Sequence, residues 1–289
     1  MASLKEVKGR INSVNSTRKI TSAMKMVASS KLHKAQAAIE SMYPYERRLN
    51  HVLTSFLSTE PEVSSPYVET RTATHVAIVV FSSNTSLCGG FNANVIKHLT
   101  VMLDEYKPLG LENVKLFPVG RKVAEAVKKL GFRVEGDFQH MADKPSYEEA
   151  TELAVRLMEL YRNKEVDKVE LLYNHFRSTA IQVLTRETYL PVELPKGVNK
   201  GKHGEFLDFI VEPSDEVVMR ELMPKVLMMK LYTVLLDSNA AEHAARTMAM
   251  QIATDNANDL LQELTVQYNK SRQQAITNEL LDIIGGSMK

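Results

Sequence analysis

Two patterns divide this chain. From Ser3 to Ser58, and again from Lys225 to Ile284, apolar residues recur every three or four positions. Between the arms, short continuous apolar runs alternate with helical periodicity. The first arm contains one glycine (Gly9) and one proline (Pro44), and the second contains neither. A helix spanning the second arm would be roughly 90 Å long at about 1.5 Å per residue. Lengths of that order point to a coiled coil, a membrane span or a helical repeat. No stretch is apolar enough to cross a bilayer, and no repeat of fixed period is visible. The arms must therefore bury their stripes on each other or on a partner.

The first arm opens with Ser3-Leu4-Lys5-Glu6, a capping-box pattern. Alternating steps of three and four from Leu4 reach Val7, Ile11, Val14, Arg18, Thr21, Lys25, Ala28, Leu32, Ala35, Ile39, Met42, Glu46, Leu49, Leu53 and Phe56. Most of these are apolar, which makes a heptad seam. Between Arg18 and Lys25 the apolar set slips by one, to Ile20, Met24 and Val27. Such a slip means either a stutter or a face turned to something other than the coiled-coil mate. Pro44 is expected to bend the arm.

Residues 59–73, with Pro61 and Pro66, read as a linker. His75–Ser82 then reads as a buried strand, Phe91–Tyr106 as a helix, Val114–Val119 as a strand and Gly120–Leu130 as a helix. Tyr147–Arg162 reads as a helix, Val169–Phe176 and Ala180–Thr188 as strands, and 191–204 as a loop. Strands alternating with helices imply a small Rossmann-like α/β domain with a mostly parallel sheet. The last arm opens at Pro213-Ser214-Asp215-Glu216 and has a natural stop at Gly285-Gly286. Its stripe runs through Leu222, Val226, Met229, Thr233, Leu236, Ala240 and Ala244, then Leu260, Leu264 and Tyr268. The expected fold is a long antiparallel two-helix coiled coil with the α/β domain as an outgrowth. The divisions are an arm over 1–58, a linker over 59–73, the domain over 74–210 and an arm over 211–289. The longer second arm is expected to project past the start of the first.

Composition narrows the class. The chain has 289 residues and a net charge of +1, so it is no obvious nucleic-acid binder as a whole. The basic charge is concentrated at the start, where eight Lys/Arg face one acid (Glu6) up to Lys34. That face is a solvated basic surface, a nucleic-acid or anionic-lipid patch, or a docking surface for an acidic protein. Met24, Met26 and Val27 among the charges argue against pure solvation. A single cysteine, Cys88, excludes an internal disulfide and fits a reducing compartment; without an apolar leader, the chain is expected to be cytosolic and bacterial.

Candidate chemistry is sparse. Ser83-Asn84-Thr85-Ser86-Leu87-Cys88-Gly89-Gly90-Phe91-Asn92 lies after a strand and before a helix, where α/β folds bind phosphates. It is neither a Walker A loop nor G-x-G-x-x-G, and a tight strand-to-helix turn accounts for it as well. Cys88 has no His or second Cys nearby and reads as a buried structural thiol. The eight histidines show no paired ligand spacing. Arg272-Gln273-Gln274-Ala275-Ile276-Thr277-Asn278-Glu279 is either an ordinary polar helix face or a polar latch on a partner.

Three phrases carry a resemblance. Arg10–Lys31 resembles the N-terminal helix of the gamma subunits of F-type ATP synthases, bacterial type. Ala253–Asn258 and Tyr268–Glu279 are similar to that family's C-terminal helix, and Ser86–Asn92 to its central turn. The turn departs at Ser86, where the family carries Gly, and at Asn84-Thr85, where it carries a charged pair. The regulatory cysteine pair of chloroplast members is missing, so thiol regulation is not expected.

The resemblance implies the central rotor stalk of a proton-transporting two-sector ATPase, non-catalytic by itself. It implies one copy per complex, with three alpha and three beta subunits, epsilon and the membrane c-ring as partners and no nucleic acid. No cofactor is expected on this chain; ATP, ADP and Mg belong to the partner subunits. The location implied is peripheral, on the cytoplasmic face of the bacterial inner membrane. Met24, Arg246, Arg272, Gln273, Thr277 and Glu279 are implied to touch the catalytic hexamer or tie the shaft helices together. Two rival readings remain for the residues alone: a small-molecule enzyme on the α/β domain, and a basic coiled-coil scaffold for nucleic acid.

Overall fold

A computed structural model describes residues 4–59, 65–192, 212 and 214–287. Ser3, Pro61, Pro213 and most of the 191–204 loop lie outside the described residues. Helix α1 spans Leu4–Thr59 and helix α6 spans Asp215–Ser287, 56 and 73 residues. They are roughly 84 Å and 110 Å long at about 1.5 Å per residue. α1 continues as helix through Pro44, at an exposed position. α6 opens on Ser214, whose hydroxyl accepts the Val217 amide at 3.4 Å. It runs through Gly285-Gly286 to Ser287 instead of stopping at the glycine pair.

The arms are antiparallel. Thr21 Oγ1 and Thr254 Oγ1 meet at 2.8 Å, and Arg18 donates to Asn258 Oδ1 at 3.3 Å. Val7, Thr21, Ala28, Leu32, Ala35, Ile39 and Leu53 of the expected seam are buried, and Arg18 and Lys25 are half-buried on the same line. The seam therefore does not stutter. It turns polar between Arg18 and Lys25, while Ile20, Met26 and Val27 are 60, 66 and 59 % exposed on the flank. On α6 the buried line continues from Ala244 through Thr247, Met250, Ala257 and Leu264. Leu260 is a correction: it is 43 % exposed, because the seam passes through half-buried Leu261 instead.

The middle of the chain forms β1 (Val76–Phe81), α2 (Phe91–Tyr106), β2 (Val114–Val119), α3 (Arg121–Lys129), α4 (Gln139–Asp143), α5 (Tyr147–Arg162), β3 (Lys168–Phe176) and β4 (Gln182–Leu190). The sheet order is β2-β1-β3-β4. β1 is parallel to β2 and β3, and β4 is antiparallel to β3. β4 begins two residues later than the sequence suggests, because Ser178–Ile181 form the turn, with the Ile181 amide on Ser178 O at 3.2 Å.

Central strand β1 is buried on both faces, and its period of two sorts the core. Val76, Ile78 and Val80 pack with α2 and α3 through Val95, Leu99, Met102, Val123 and Val127. Ala77, Val79 and Phe81 face α5 and α6 through Leu153, Leu157, Met223, Leu227, Leu231 and Val234. Helix α6 is thus one wall of the domain's core.

Candidate functional site

The loop after β1 is held from every side. The Ser83 amide donates to Asn92 Oδ1 at 3.0 Å, and Asn92 Nδ2 returns to Ser83 Oγ at 2.7 Å and to Cys88 Sγ at 3.2 Å. Asn84 Nδ2 donates to Gln139 O and Asp143 Oδ2, both at 2.7 Å, and its Oδ1 accepts the Arg121 amide at 2.8 Å. Leu87 and Gly89 take positive φ, 67° and 60°, which turns the chain into α2. Gly120 packs so close that a Cβ would lie 2.2 Å from Ser82 O. The tight-turn reading of this loop describes its geometry, and Cys88 is 2 % exposed within it.

The crevice beyond the carboxyl ends of β1 and β2, where open α/β sheets receive ligands, is filled by α6. Phe81, Ser82 and Val119 meet Leu235, Ser238, Asn239 and Glu242 of α6 there, leaving a cavity of about 10 Å³. That is the size of a single water. Glu242 is ion-paired to Arg246, whose Nη2 donates to Thr85 Oγ1 at 2.7 Å, Thr85 O at 3.1 Å and Ser86 O at 3.3 Å. Burial pushes the Glu242 carboxyl up to about 7 against the pull of Arg246. Burial also pushes neighbouring His243 down to about 4, helped by Lys31 and Arg246.

The residues implied by the resemblance fall into three places. Met24 is half-buried beside the polar part of the α1–α6 seam. Arg246 joins α6 to the loop after β1. Arg272, Gln273, Thr277 and Glu279 are exposed on α6 about 39 Å or more beyond Arg246. Thr277 Oγ1 bonds locally there, to Gln273 O at 2.9 Å. The Thr21–Thr254 pairing sets a register that puts Leu4 beside Ser271, so α1 does not run alongside α6 beyond that point. Ile276, Leu280, Leu281, Ile283 and Ile284 are 47–68 % exposed on this tip. No described helix is long and apolar enough to cross a membrane.

A family model described as ATP synthase matches residues 3–288. Similar proteins are the ATP synthase gamma chains of Phocaeicola vulgatus, 76 % identical over 288 residues with 100 % of both chains covered, and of Bacteroides fragilis, 62 % identical over 289 residues with the same coverage. This chain belongs to the ATP synthase gamma chain family. Solved structures share the fold at low identity. A rotational state of the Euglena gracilis mitochondrial ATP synthase matches with a TM-score of 0.64 at 18 % identity, covering 99 % of this chain and 93 % of that one. The central stalk/c-ring structure from Tetrahymena thermophila matches at 0.58 and 22 %, covering 81 % and 99 %.

Sequence reasoning singled out the flank at Ile20 and Val27 and the run at Arg272–Glu279. It missed the burial of polar residues 237–247 in α6. The signal was present: Asp237, Asn239, Glu242 and His243 interrupt an Ala/Leu-rich stretch in a helix that has no solvent-facing side there.

Proposed function

We propose that this chain is the rotating shaft of a rotary ATP synthase and makes or breaks no bond itself. The projecting tip and the exposed flank carry the reading. Contiguous exposed apolar residues on a soluble chain mark a surface that another protein covers. Here they lie on the single-helix tip and on the flank of the paired stretch of a two-helix rod. Apolar contact is non-directional, so it holds a rod while letting it turn. In this reading the tip and flank turn inside a ring of three alpha and three beta subunits, which hold ATP, ADP and Mg. The α/β domain meets epsilon and the c-ring, one copy of the chain serves each complex, and the assembly sits on the cytoplasmic face of the inner membrane.

The energetics require a rigid element. Each elementary charge crossing about 100 mV supplies roughly 2.3 kcal/mol. Reversing a site's population from about 1:99 to 99:1 takes about 5.5 kcal/mol. Several translocated charges must therefore be pooled in one part that twists little. Asymmetry of that part makes the three catalytic sites unequal at any moment.

Affinity capture of the chain from its native membrane extract tests the reading. The expected result is an assembly with three copies each of two nucleotide-binding subunits per copy of this chain. Recovery of the chain alone, with tight stoichiometric ATP binding by calorimetry, would favour an enzyme built on the α/β domain.

A further inference from the structure

α6 is buried on every side from Thr233 to Ala244, yet that stretch contains Thr233, Asp237, Ser238, Asn239, Glu242 and His243. A helix buried all round is ordinarily apolar all round. Thr233 satisfies itself on its own helix, at Met229 O (2.9 Å). Other polar groups reach outward, each to a different segment of the α/β domain. Asp237 Oδ1 accepts the Phe176 amide at 2.8 Å and Oδ2 lies 2.6 Å from His175 Nδ1, at the end of β3. Asn239 Nδ2 donates to Ala142 O of α4 at 2.8 Å. Arg246, with Glu242 behind it, donates to Thr85 and Ser86 after β1.

At about 100° per residue, Asn239 lies about 200° and Arg246 about 180° round the helix from Asp237. The attachments therefore grip α6 from opposite sides. In the same stretch α1 meets α6 through apolar side chains, with Leu32, Ala35 and Ile39 on Leu236, Ala240 and Ala244. Apolar packing resists separation and tolerates sliding. A hydrogen bond weakens steeply with angle; breaking those of buried Asp237 and Asn239 also leaves a stranded group, whereas those of Arg246 end on the exposed loop after β1 and act by direction alone. Directional contacts on opposed sides are what stop a helix from turning in its socket.

We propose that Asp237, Asn239 and Arg246 are torsional pins, positioning residues through which the α/β domain delivers torque to the shaft. The ligand crevice of the α/β fold has become the socket for this join. The proposal rests on the rotor reading above. Its test uses the whole complex, reconstituted in vesicles and read as protons pumped per ATP hydrolysed, a ratio that a change in turnover alone does not move. Asp237→Leu, Asn239→Leu and Arg246→Met keep side-chain bulk and remove the directional bonds. The triple variant is expected to lower the ratio at least threefold, with each single variant intermediate and Arg246→Lys closer to wild type than Arg246→Met. An unchanged ratio in an assembled triple variant overturns the proposal. If the triple variant does not assemble, unchanged ratios in all three single variants overturn it equally. Failure of the wild-type chain to assemble with nucleotide-binding subunits or support any pumping would instead sink the rotor reading.

Discussion

Two parts of α6 invert the usual rule for what a helix hides. Its middle, residues 231–247, buries carboxylate, amide and imidazole groups between α1 and the α/β domain. Its tip, residues 272–284, leaves isoleucines and leucines in the open. The middle has its partners within the chain, and they are specific and directional. α1 does not reach alongside the tip, which offers apolar side chains together with the exposed polar run Arg272–Glu279. One helix is thus held by directional contacts inside the chain at one point and exposed along its length at another.

The largest effect that sharpens this contrast is on stability. Leu231 is fully buried in the shared core and Leu281 is 61 % exposed on the tip. Leu231→Ala should cost about 2–5 kcal/mol in urea unfolding of the isolated chain. Leu281→Ala should stay within about 0.5 kcal/mol. Equal losses would erase the distinction.

Next comes the pH response of the gripped section. Glu242 keeps its proton to about 7 when folded, against 4.5 as its ordinary value. Its contribution is complete below about 4.5 and is lost as pH rises through 7, on the order of 3 kcal/mol. His243 has the opposite sense. Folding lowers it from 6.5 to about 4, so unfolded chains bind more protons in that window and stability rises with pH across it. The two slopes oppose each other in the wild type. Glu242→Gln should leave stability rising from about pH 4 to 6.5, and His243→Gln should leave it falling from about pH 4.5 to 7. Thermal melts across that range check both, and identical profiles in the two variants would refute the assignment.

Most of the fold was legible because its signals are local. The bounds of α2, β2 and α5 follow from apolar periodicity and turn residues alone. Short α4 was not legible: Gln139–Asp143 is too brief to show a period, and Asn84 and Asn239 hold its carbonyls from elsewhere in the chain. The candidate surface was half legible. The slip at Ile20, Met24 and Val27 announced a second face, but only the three-dimensional register tells a stutter from a polar seam with an apolar flank. Leu260 misled because periodicity alone cannot choose between adjacent residues when Leu261 follows it. Asp237 and Asn239 were illegible, since a buried Asp and a solvated one are written alike, and Arg246 was named only through the resemblance, as a contact to the hexamer or between the shaft helices.

A smaller effect concerns the polar seam. Thr21→Val alone leaves the Thr254 hydroxyl without its cross-helix partner and should cost about 1 kcal/mol, whereas Thr21→Val with Thr254→Val should be closer to neutral. Strict additivity in the double-mutant cycle would contradict a shared bond. The smallest effect on the free chain belongs to the tip. Arg272→Ala with Gln273→Ala should leave the melting temperature unchanged and lower steady-state hydrolysis by the assembled complex. Unchanged hydrolysis would count against the latch.

The central claim is that this chain turns. It is tested most directly by fixing the catalytic ring of the assembled complex to a surface and following a probe attached to the exposed face of the α/β domain while ATP is supplied. One-directional rotation in three equal dwells per turn is the expected result. Sustained ATP hydrolysis with a stationary probe would contradict it.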